Sequence, residues 1–427
     1  MAIGEFSSGS NSYLIPSQIW IDGDKVLFGG YALKHAQQAS GNGRRAATSF
    51  KTLLGGKSLT HILDQKPPRS VDETGQFSNG SLICLFLAHV FAAMKRAAIA
   101  APHPFSLENA ELRYTQPVWI QSDPSLPQAM IAHIYNQAAW LAQVLAESLL
   151  APSGLPCRMA VDAFKLYHTA EMPALVAGHI HEAIAAANCF VGPDVKNVLA
   201  IDMGAGTTDI AGFSFFRQDG QERAVELTAA RRMLNVAGDA LDTIVMNCFL
   251  ARAGPQSTGA QQDLWDALTP TVRSLKEKAF GKGSAMFDFN GELLTVSRAQ
   301  IESTKEFKSL TDYLSREFGN ALAAMEKACA DRGGGELTLV AAGGGSRTPF
   351  LRRMIADAKP RNRRVRFSRV DGDPAWAKDI TGAYASALPQ LLTAIGGAAA
   401  PDFQVVRQRE AHRPAVTPRQ ALKAGAL

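Results

Sequence analysis

Apolar residues along this chain follow two different spacings. Short apolar runs bounded by Gly, Pro or Asp are typical of strands, and longer segments with apolar residues three and four apart are typical of helices. The pattern predicts strands at residues 15–21, 25–28, 113–120, 159–164, 198–201, 210–216, 223–236, 284–296 (a hairpin), 336–342 and 365–370. It predicts helices at residues 29–38, 79–101, 127–150, 172–189, 238–253, 261–280, 297–328, 349–358 and 376–400. This mixture predicts an α/β fold, which we interpret as two lobes.

Length and composition narrow the class of protein. The chain has 427 residues, of which 46% are apolar and 19% charged, so we expect a globular protein with two or more domains. The most apolar stretch, residues 82–101, contains Lys95 and Arg96, so we expect a buried helix rather than a membrane span. The start of the chain is polar and has no secretory signal, which makes the cytoplasm the expected location. The five cysteines form no C-x-x-C pair, so neither a metal site nor a disulfide framework is predicted.

The net charge of +5 is concentrated in two segments. Residues 401–427 hold five basic and two acidic residues, and residues 359–369 hold six basic residues. Such segments can contact nucleic acid, but they are more often solvated surface, so we do not expect a nucleic-acid partner.

The most informative stretch is residues 198–215. A buried apolar strand ends at Asp202, a turn of small residues follows, and Thr207 and Asp209 open a second apolar strand. Gly204 and Gly206 allow the backbone N–H groups of such a turn to approach an anion closely. Two carboxylates beside a phosphate would hold a hydrated Mg²⁺ or orient a water molecule. The stretch therefore predicts a nucleoside triphosphate site outside the Walker-A class, with an ordinary Gly-rich hairpin as the alternative.

Further motifs lie before and after this stretch, and their order along the chain is informative. The matching segments are residues 15–21, 28–32, 50–55, 116–120, 181–187, 202–209, 237–242 and 343–349. In this order they resemble the ATPase domain of the seventy-kilodalton heat-shock chaperones, a branch of the actin-like ATPase superfamily. The resemblance covers roughly residues 15–398. It implies a two-lobed actin-like (ribonuclease-H-like) fold, in which each lobe is a mixed sheet flanked by helices, with ATP and Mg²⁺ bound between the lobes.

The resemblance also implies roles for individual residues. The catalytic set would be Lys51, Glu182, Asp202 and Asp209, with Asp202 holding Mg²⁺ through water and Pro117 acting as a switch proline. The nucleotide-binding set would be Gly204, Ala205, Gly206, Thr207, Gly238, Asp239, Glu277, Ser284, Gly343, Gly344, Gly345 and Arg347. A lysine near a γ-phosphate neutralises charge that develops during transfer, and an arginine can stack on an adenine ring. Taken without the other motifs, Lys51 would be an ordinary surface lysine.

Two segments depart from the family pattern. The family's first phosphate hairpin corresponds to residues 2–12 here. Only Asn11, Ser12 and Glu5 are similar to residues of that hairpin. Losing several charge-assisted hydrogen bonds, at roughly 1.5–3 kcal/mol each, would weaken phosphate binding. In the helix at 272–280, Phe280 and Gly281 stand where the family has Lys and Arg, and Arg273 or Lys276 would have to substitute.

The resemblance divides the chain into five parts. These are a degenerate or foreign N-terminus (1–14), lobe I (15–197, with an insertion near 151–180), lobe II (198–372), a helix returning to lobe I (373–400) and a basic disordered tail (401–427). No segment after residue 400 is long enough for a peptide-binding domain.

Three functions follow from the resemblance. The first is a chaperone-like ATPase domain whose output is nucleotide-dependent lobe closure, with weak hydrolysis expected. The second is a non-hydrolysing scaffold or binding protein of the same fold, and the third is a filament-forming bacterial actin relative. A nucleotide is the expected ligand, a protein partner or co-chaperone stays open, and no membrane contact is expected.

Overall fold

The secondary structure is a mixture of helices and strands, seen in a computed structural model. It describes residues 3–4, 12–39, 43–48, 50–54, 59–101, 104, 110, 112–116, 125–167, 176–191, 196–218, 221–254, 257–370, 374–399 and 405–407. The strands are β1 (Gln18–Asp22), β2 (Lys25–Phe28), β3 (Ala47–Thr48), β4 (Leu112–Gln116), β5 (Leu155–Pro156), β6 (Val176–His181), β7 (Asn197–Met203), β8 (Thr208–Gln218), β9 (Gln221–Leu234), β10 (Ser284–Phe289), β11 (Glu292–Ser297), β12 (Gly335–Ala342), β13 (Val365–Val370) and β14 (Val405–Arg407). The helices are α1 (Gly29–Gln38), α2 (Phe50–Leu54), α3 (Leu59–Asp64), α4 (Asn79–Ile99), α5 (Ser125–Leu145), α6 (Cys157–Tyr167), α7 (Glu182–Asn188), α8 (Gly238–Ala253), α9 (Thr258–Leu268), α10 (Val272–Lys282), α11 (Arg298–Ser303), α12 (Lys305–Asp331), α13 (Pro349–Ala356) and α14 (Gly382–Ala399). The α/β class predicted from the sequence is confirmed.

The N-terminal part is built on a four-stranded sheet in the order β3-β1-β2-β5. Strands β1 and β2 form the predicted antiparallel hairpin, in which Ile19 lies opposite Phe28. Their buried side chains pack with those of α4 and α5 in one hydrophobic core. Strands β4 and β6 form a separate parallel pair.

A six-stranded sheet in the order β13-β12-β7-β8-β9-β14 carries the candidate site. Strands β13, β12 and β7 are parallel, and β8 and β9 continue the sheet in an antiparallel arrangement. Because side chains alternate along a strand, β7 serves two different cores. Leu199, Ile201 and Met203 pack on the side of α8 and α12. Val198 and Ala200 pack on the side of α7 and α14.

Four helix and strand predictions were inaccurate. Residues 159–164 are helical within α6, where Cys157, Ala160 and Ala163 bury one face at helical spacing. The predicted helix at 172–189 is β6 followed by α7. The single helices at 261–280 and 297–328 are each two helices. The second pair divides at Thr304, whose hydroxyl accepts a hydrogen bond from Phe307 N and so begins α12.

The last helix begins later than predicted. Residues 375–377 form one 3₁₀ turn, and α14 starts at Gly382 instead of Trp376. In the tail that we expected to be disordered, Val405–Arg407 pairs in parallel with β9. The rest of the tail lies outside the described residues, as do residues 117–120, with the expected switch proline, and residues 5–11 of the degenerate first hairpin.

Helix α4 is a long, apolar helix of 21 residues. By length and composition alone it could cross a membrane, which the sequence interpretation had excluded because of Lys95 and Arg96. Eleven of its residues are buried against the N-terminal core, while Lys95 and Arg96 are exposed. This packing agrees with the predicted buried helix.

Candidate functional site

Asp202 and Asp209 lie directly opposite each other in the β7–β8 pairing. Directly opposed residues of an antiparallel pair project to the same side of the sheet, with Cβ atoms about 4.5–5.5 Å apart. Both carboxylates therefore face α7 and α14, and only 8% of Asp202 and 5% of Asp209 is exposed. The hairpin predicted from the sequence thus places two buried carboxylates side by side.

Lys51 brings a positive charge to this pair from a distant part of the chain. Its ammonium group forms an ion pair with Glu182, the first residue of α7, and lies 3.6 Å from Asp209 Oδ2. Lys51 is partly exposed, whereas the Glu182 and Asp209 side chains are mostly buried. All four predicted catalytic residues therefore belong to one charged cluster.

Burial and the charges of neighbouring side chains shift the pKa values of the residues in this cluster. Burial, and then the Glu182 carboxylate, raise the pKa of Asp202 to about 7, against the opposing effect of Lys51. Burial also raises the pKa of Asp209, although Lys51 partly offsets it. Burial alone would lower the pKa of Lys51, but the carboxylates of Glu182 and Asp209 raise it overall. Three carboxylates face one ammonium, so the cluster is short of positive charge.

One carboxylate oxygen of the cluster is left without a hydrogen-bond partner among the residues that the structure describes. Asp209 Oδ1 is buried and accepts no hydrogen bond within the described residues. An unpaired buried carboxylate oxygen is costly unless a donor or cation reaches it. The described part of the chain contains no group of three or more His, Cys, Asp or Glu side chains arranged to hold a metal ion. Asp202, the residue predicted to hold Mg²⁺ through water, lies beside the Asp209 carboxylate in the β7–β8 pairing.

The turn between the two carboxylates is closed by its own hydrogen bonds. Gly204 N donates to Thr207 O at 3.0 Å, and Thr207 Oγ1 donates to Asp209 Oδ2 at 3.3 Å. Gly206, like Ala205, lies in the bend between them. These residues stand at the tip of the hairpin, as the sequence predicted.

The first turn of α8 supports this turn from behind. Gly238 N donates to Gly204 O at 3.1 Å, and Asp239 N donates to Ala205 O at 2.7 Å. A side chain on Gly238 would crowd Gly204 O at 3.0 Å. The backbone amides of these two predicted nucleotide-binding residues are therefore already bonded to carbonyl groups of the chain.

A second glycine turn follows β12 and packs against the end of β7. Gly343 has φ +75°, and a Cβ there would press on the Asp202 carboxylate and come within 2.5 Å of Met203 O. A Cβ on Gly345 would lie 2.6 Å from Met203 Sδ, whereas Gly344 is exposed. Glycine is required at 343 and 345 for this close packing, in addition to any role beside a ligand.

Helix α14 ties the glycine turn to the carboxylate pair. Gly343 N donates to Pro389 O at 3.0 Å, and Thr393 Oγ1 donates to Asp202 Oδ2 at 3.2 Å. Thr393 was not among the predicted site residues. The one sequence signal for it is a hydroxyl inside an otherwise apolar helical segment, which by itself does not indicate a site.

Arg347 contacts the protein instead of projecting freely from the turn. Its Nη2 donates to Ala385 O in α14 at 2.8 Å, although the residue as a whole is exposed. The guanidinium could stack on an adenine ring from this bonded position, or after the hydrogen bond to Ala385 O is broken.

The predicted nucleotide-binding residues on α10 and at the start of β10 are not shown to join the cluster. Glu277 and Ser284 are both exposed, and neither has a described hydrogen bond to the glycine turns. Lys276, one of the two proposed substitutes, lies 2.7 Å from Asp242 and donates to Gly238 O. Arg273, the other, lies 3.9 Å from Asp239. Both substitutes therefore contact the start of α8.

A scan against protein-family models and a search of curated proteins found no match to this chain. The fold is mixed α/β. The site is a buried, carboxylate-rich cluster with one lysine, bounded by two glycine turns. Chemically, such a cluster can attract a cation and bring a bound polyanion to Lys51.

Proposed function

We propose that this chain binds ATP with Mg²⁺ in a two-lobed actin-like ATPase fold and that it acts as a chaperone-like ATPase domain. The observation that carries the proposal is the convergence of Lys51, Glu182 and Asp209 at the tip of the β7–β8 hairpin, with the Gly343 turn packed on Asp202. These residues come from four of the eight segments whose order suggested the resemblance. An ordinary Gly-rich hairpin would have no reason to collect a lysine and a third carboxylate from distant segments.

Each residue has a role in this proposal. Lys51 would neutralise charge on the terminal phosphate, and Glu182 and Asp209 would hold its ammonium group in place. The turn at Gly204–Gly206 would donate to phosphate oxygens, and so would the Thr207 hydroxyl in exchange for its hydrogen bond to Asp209 Oδ2. Asp202 would hold the hydrated Mg²⁺, which when bound supplies the positive charge that the cluster lacks. The Gly343–Gly345 turn and Arg347 would lie beside the nucleoside.

The biological setting is part of the proposal. Lobe I would comprise residues 15–197 and lobe II residues 198–372, with ATP biasing their closure as the output. A protein partner would bind the closed state selectively. The proposed location of the protein is the cytoplasm.

Calorimetric titration of MgATP into the purified chain tests nucleotide binding. We expect saturable heat with the unmodified chain and at least tenfold weaker binding for Asp202→Asn. Asp312→Asn, on the exposed surface of α12, is the matched control for loss of one negative charge and should bind normally. The absence of saturable heat at millimolar MgATP, or equal binding by both variants, would overturn the proposal.

A phosphate-release assay then separates turnover from binding. We expect slow release that is abolished by Lys51→Met, with Lys308→Met on the exposed surface of α12 as control. Release that persists unchanged in Lys51→Met would remove Lys51 from the catalytic set.

One observation favours a second candidate, a binding protein of the same fold without turnover. The amides of Gly238 and Asp239 are bonded to Gly204 O and Ala205 O, so they are not available to phosphate unless the turn moves. MgATP binding without any phosphate release would favour this candidate.

A further inference from the structure

A cleft of about 370 Å³ lies at the other end of the β7–β8 hairpin. It is lined by residues that precede or begin β7, by residues 214–216 of β8, and by the segment after α12. Asn197 pairs with Ser214 in register, five residues before Asp202, so the cleft lies roughly 17 Å along the strand from the carboxylate pair. Ser214 and Phe216 also alternate with Phe213 and Phe215, which belong to the core on the opposite face, next to α7 and α14. The cleft is therefore separate from the proposed nucleotide site.

Two basic side chains line this cleft. The Lys196 side chain is exposed, whereas its carbonyl oxygen accepts a hydrogen bond from Phe215 N at 2.7 Å. Arg332, at the C-cap of α12, is the second. None of the described residues that line the cleft is acidic. The lining therefore favours an anion.

The Arg332 guanidinium is held in position by the protein. Nε donates to Ala328 O at 3.0 Å, and Nη1 donates to Ser214 Oγ at 2.7 Å. Ser214 Oγ donates in turn to Asn197 Oδ1 at 2.8 Å, and Asn197 Nδ2 donates to Glu336 O at 3.2 Å. This chain of hydrogen bonds joins α12, β8, β7 and β12. A guanidinium has five N–H donors, and a fixed one loses little further entropy when it binds an oxyanion.

An aromatic side chain forms part of the same wall. Phe216 is 42% exposed. An exposed ring beside two cations can stack on a planar group that carries negative charge. A volume of about 370 Å³ is at the lower end of the range for small-molecule sites.

We propose that the cleft between Lys196, Arg332 and Phe216 binds a small aromatic molecule that carries a phosphate or carboxylate group. The oxyanion lies between Lys196 and Arg332, and the ring packs on Phe216. Phosphate esters and carboxylic acids share this chemistry, and the experiment distinguishes them.

The test uses the full chain and three probes: phenyl phosphate, benzoate and inorganic phosphate, followed by ligand-observed NMR and calorimetry. With about 0.3 kcal/mol per non-hydrogen atom, the aromatic probes should bind with millimolar dissociation constants. Stronger binding of phenyl phosphate identifies the ligand class as phosphate esters, and stronger binding of benzoate identifies it as carboxylic acids. Inorganic phosphate should bind more weakly than phenyl phosphate, because it has no ring.

Variants of the residues that line the cleft show where the probes bind. Lys196→Gln and Arg332→Gln should each weaken the better aromatic probe about tenfold, the loss expected for one charge-assisted hydrogen bond. Phe216→Ser should weaken the aromatic probes but leave inorganic phosphate unchanged. Lys308→Gln, at the opposite end of α12, removes the same charge and should have no effect. Because the Lys196 side chain is exposed, and its described hydrogen bond to Phe215 N uses only the backbone, Lys196→Gln should disturb the fold less than Arg332→Gln.

Two results would overturn the proposal. One is the absence of saturable binding of either aromatic probe up to about 20 mM, well above the dissociation constants expected for such fragments. The other is binding that is unchanged in Lys196→Gln and lost in Asp202→Asn, which would place the probe in the proposed nucleotide site. Failure of MgATP to bind has no bearing on this cleft.

Discussion

Arg347 Nη2 donates a hydrogen bond of 2.8 Å to the carbonyl oxygen of Ala385. Ala385 lies four residues before Pro389, the proline inside α14. A helical carbonyl normally accepts from the N–H four residues later, and proline has none. Arg347 therefore supplies the donor that Pro389 lacks, and so joins the turn after β12 to α14.

This relationship predicts that Arg347 and Pro389 are coupled in stability. Arg347→Ala should lower the free energy of unfolding by about 1 kcal/mol, because the Ala385 carbonyl loses its donor. In a Pro389→Ala background the same change should cost less than about 0.5 kcal/mol, because the new N–H can reach Ala385 O. Urea unfolding of the four proteins in this cycle measures the coupling. Equal costs in both backgrounds would show that Arg347 does not replace the missing helical donor.

The two adjacent glycines of the same turn should differ sharply in tolerance. Gly343→Ala should lower the free energy of unfolding by about 2–4 kcal/mol, because φ is positive there and the added methyl group meets Asp202 and Met203 O. Gly344→Ala is the matched control. Its nearest neighbour is the flexible Gln390 side chain at 3.0 Å, so a cost below about 1 kcal/mol is expected. Thermal melting compares them, and similar melting temperatures would contradict the described packing.

The raised pKa of Asp202 predicts a pH dependence of stability. Its ordinary value is 3.8, and the folded value is about 7, so between these values the folded state binds more protons than the unfolded state. Stability contributed by this group is therefore complete below pH 4 and falls as the pH rises to about 7. Asp202→Asn should flatten this part of the profile and be more stable than the unmodified chain at pH 8, by about 1–4 kcal/mol.

Urea unfolding between pH 4 and 8 measures this profile, with Asp312→Asn as the surface control. A variant that is less stable than the unmodified chain at pH 8 would show that Asp202 is not a buried carboxylate short of positive charge.

Lys51 should stabilise the fold mainly by compensating the surrounding carboxylates. Lys51→Met should lower the free energy of unfolding at pH 8 by about 1–2 kcal/mol, between the values for an exposed and a buried pair, because 37% of the side chain is exposed. The pKa of Asp202 should rise further in this variant, since the opposing cation is gone. Lys51→Arg retains the charge and should lose less.

Carboxyl NMR titration of Asp202 follows the pKa directly. An unchanged Asp202 titration in Lys51→Met would mean that the ammonium group does not act on this carboxylate.

Local sequence was sufficient to predict the β7–β8 hairpin. Asp202 and Asp209 flank a short turn of small residues, and the period of two along each strand places both on one face, opposite each other. The β10–β11 hairpin was predicted for the same reason, because Asn290 and Gly291 tolerate the positive φ that its turn requires. At residues 159–164 the strand predicted from local sequence was wrong. A six-residue apolar window fits a strand and a helix equally well. The residues form a helix, in which Ala160 and Ala163 are buried on one face.

The sequence by itself determined the α/β class, the carboxylate hairpin and the glycine turns, because each depends on residues that are neighbours along the chain. Only the tertiary structure decided what surrounds them. Lys51 reaches Glu182 across 131 residues, and Thr393 reaches Asp202 across 191. The guanidinium of Arg347 bonds to α14 because Pro389 leaves a carbonyl without its donor there. No local spacing encodes such pairs, since they form only when packing of separate helices brings their polar groups within bonding distance of each other.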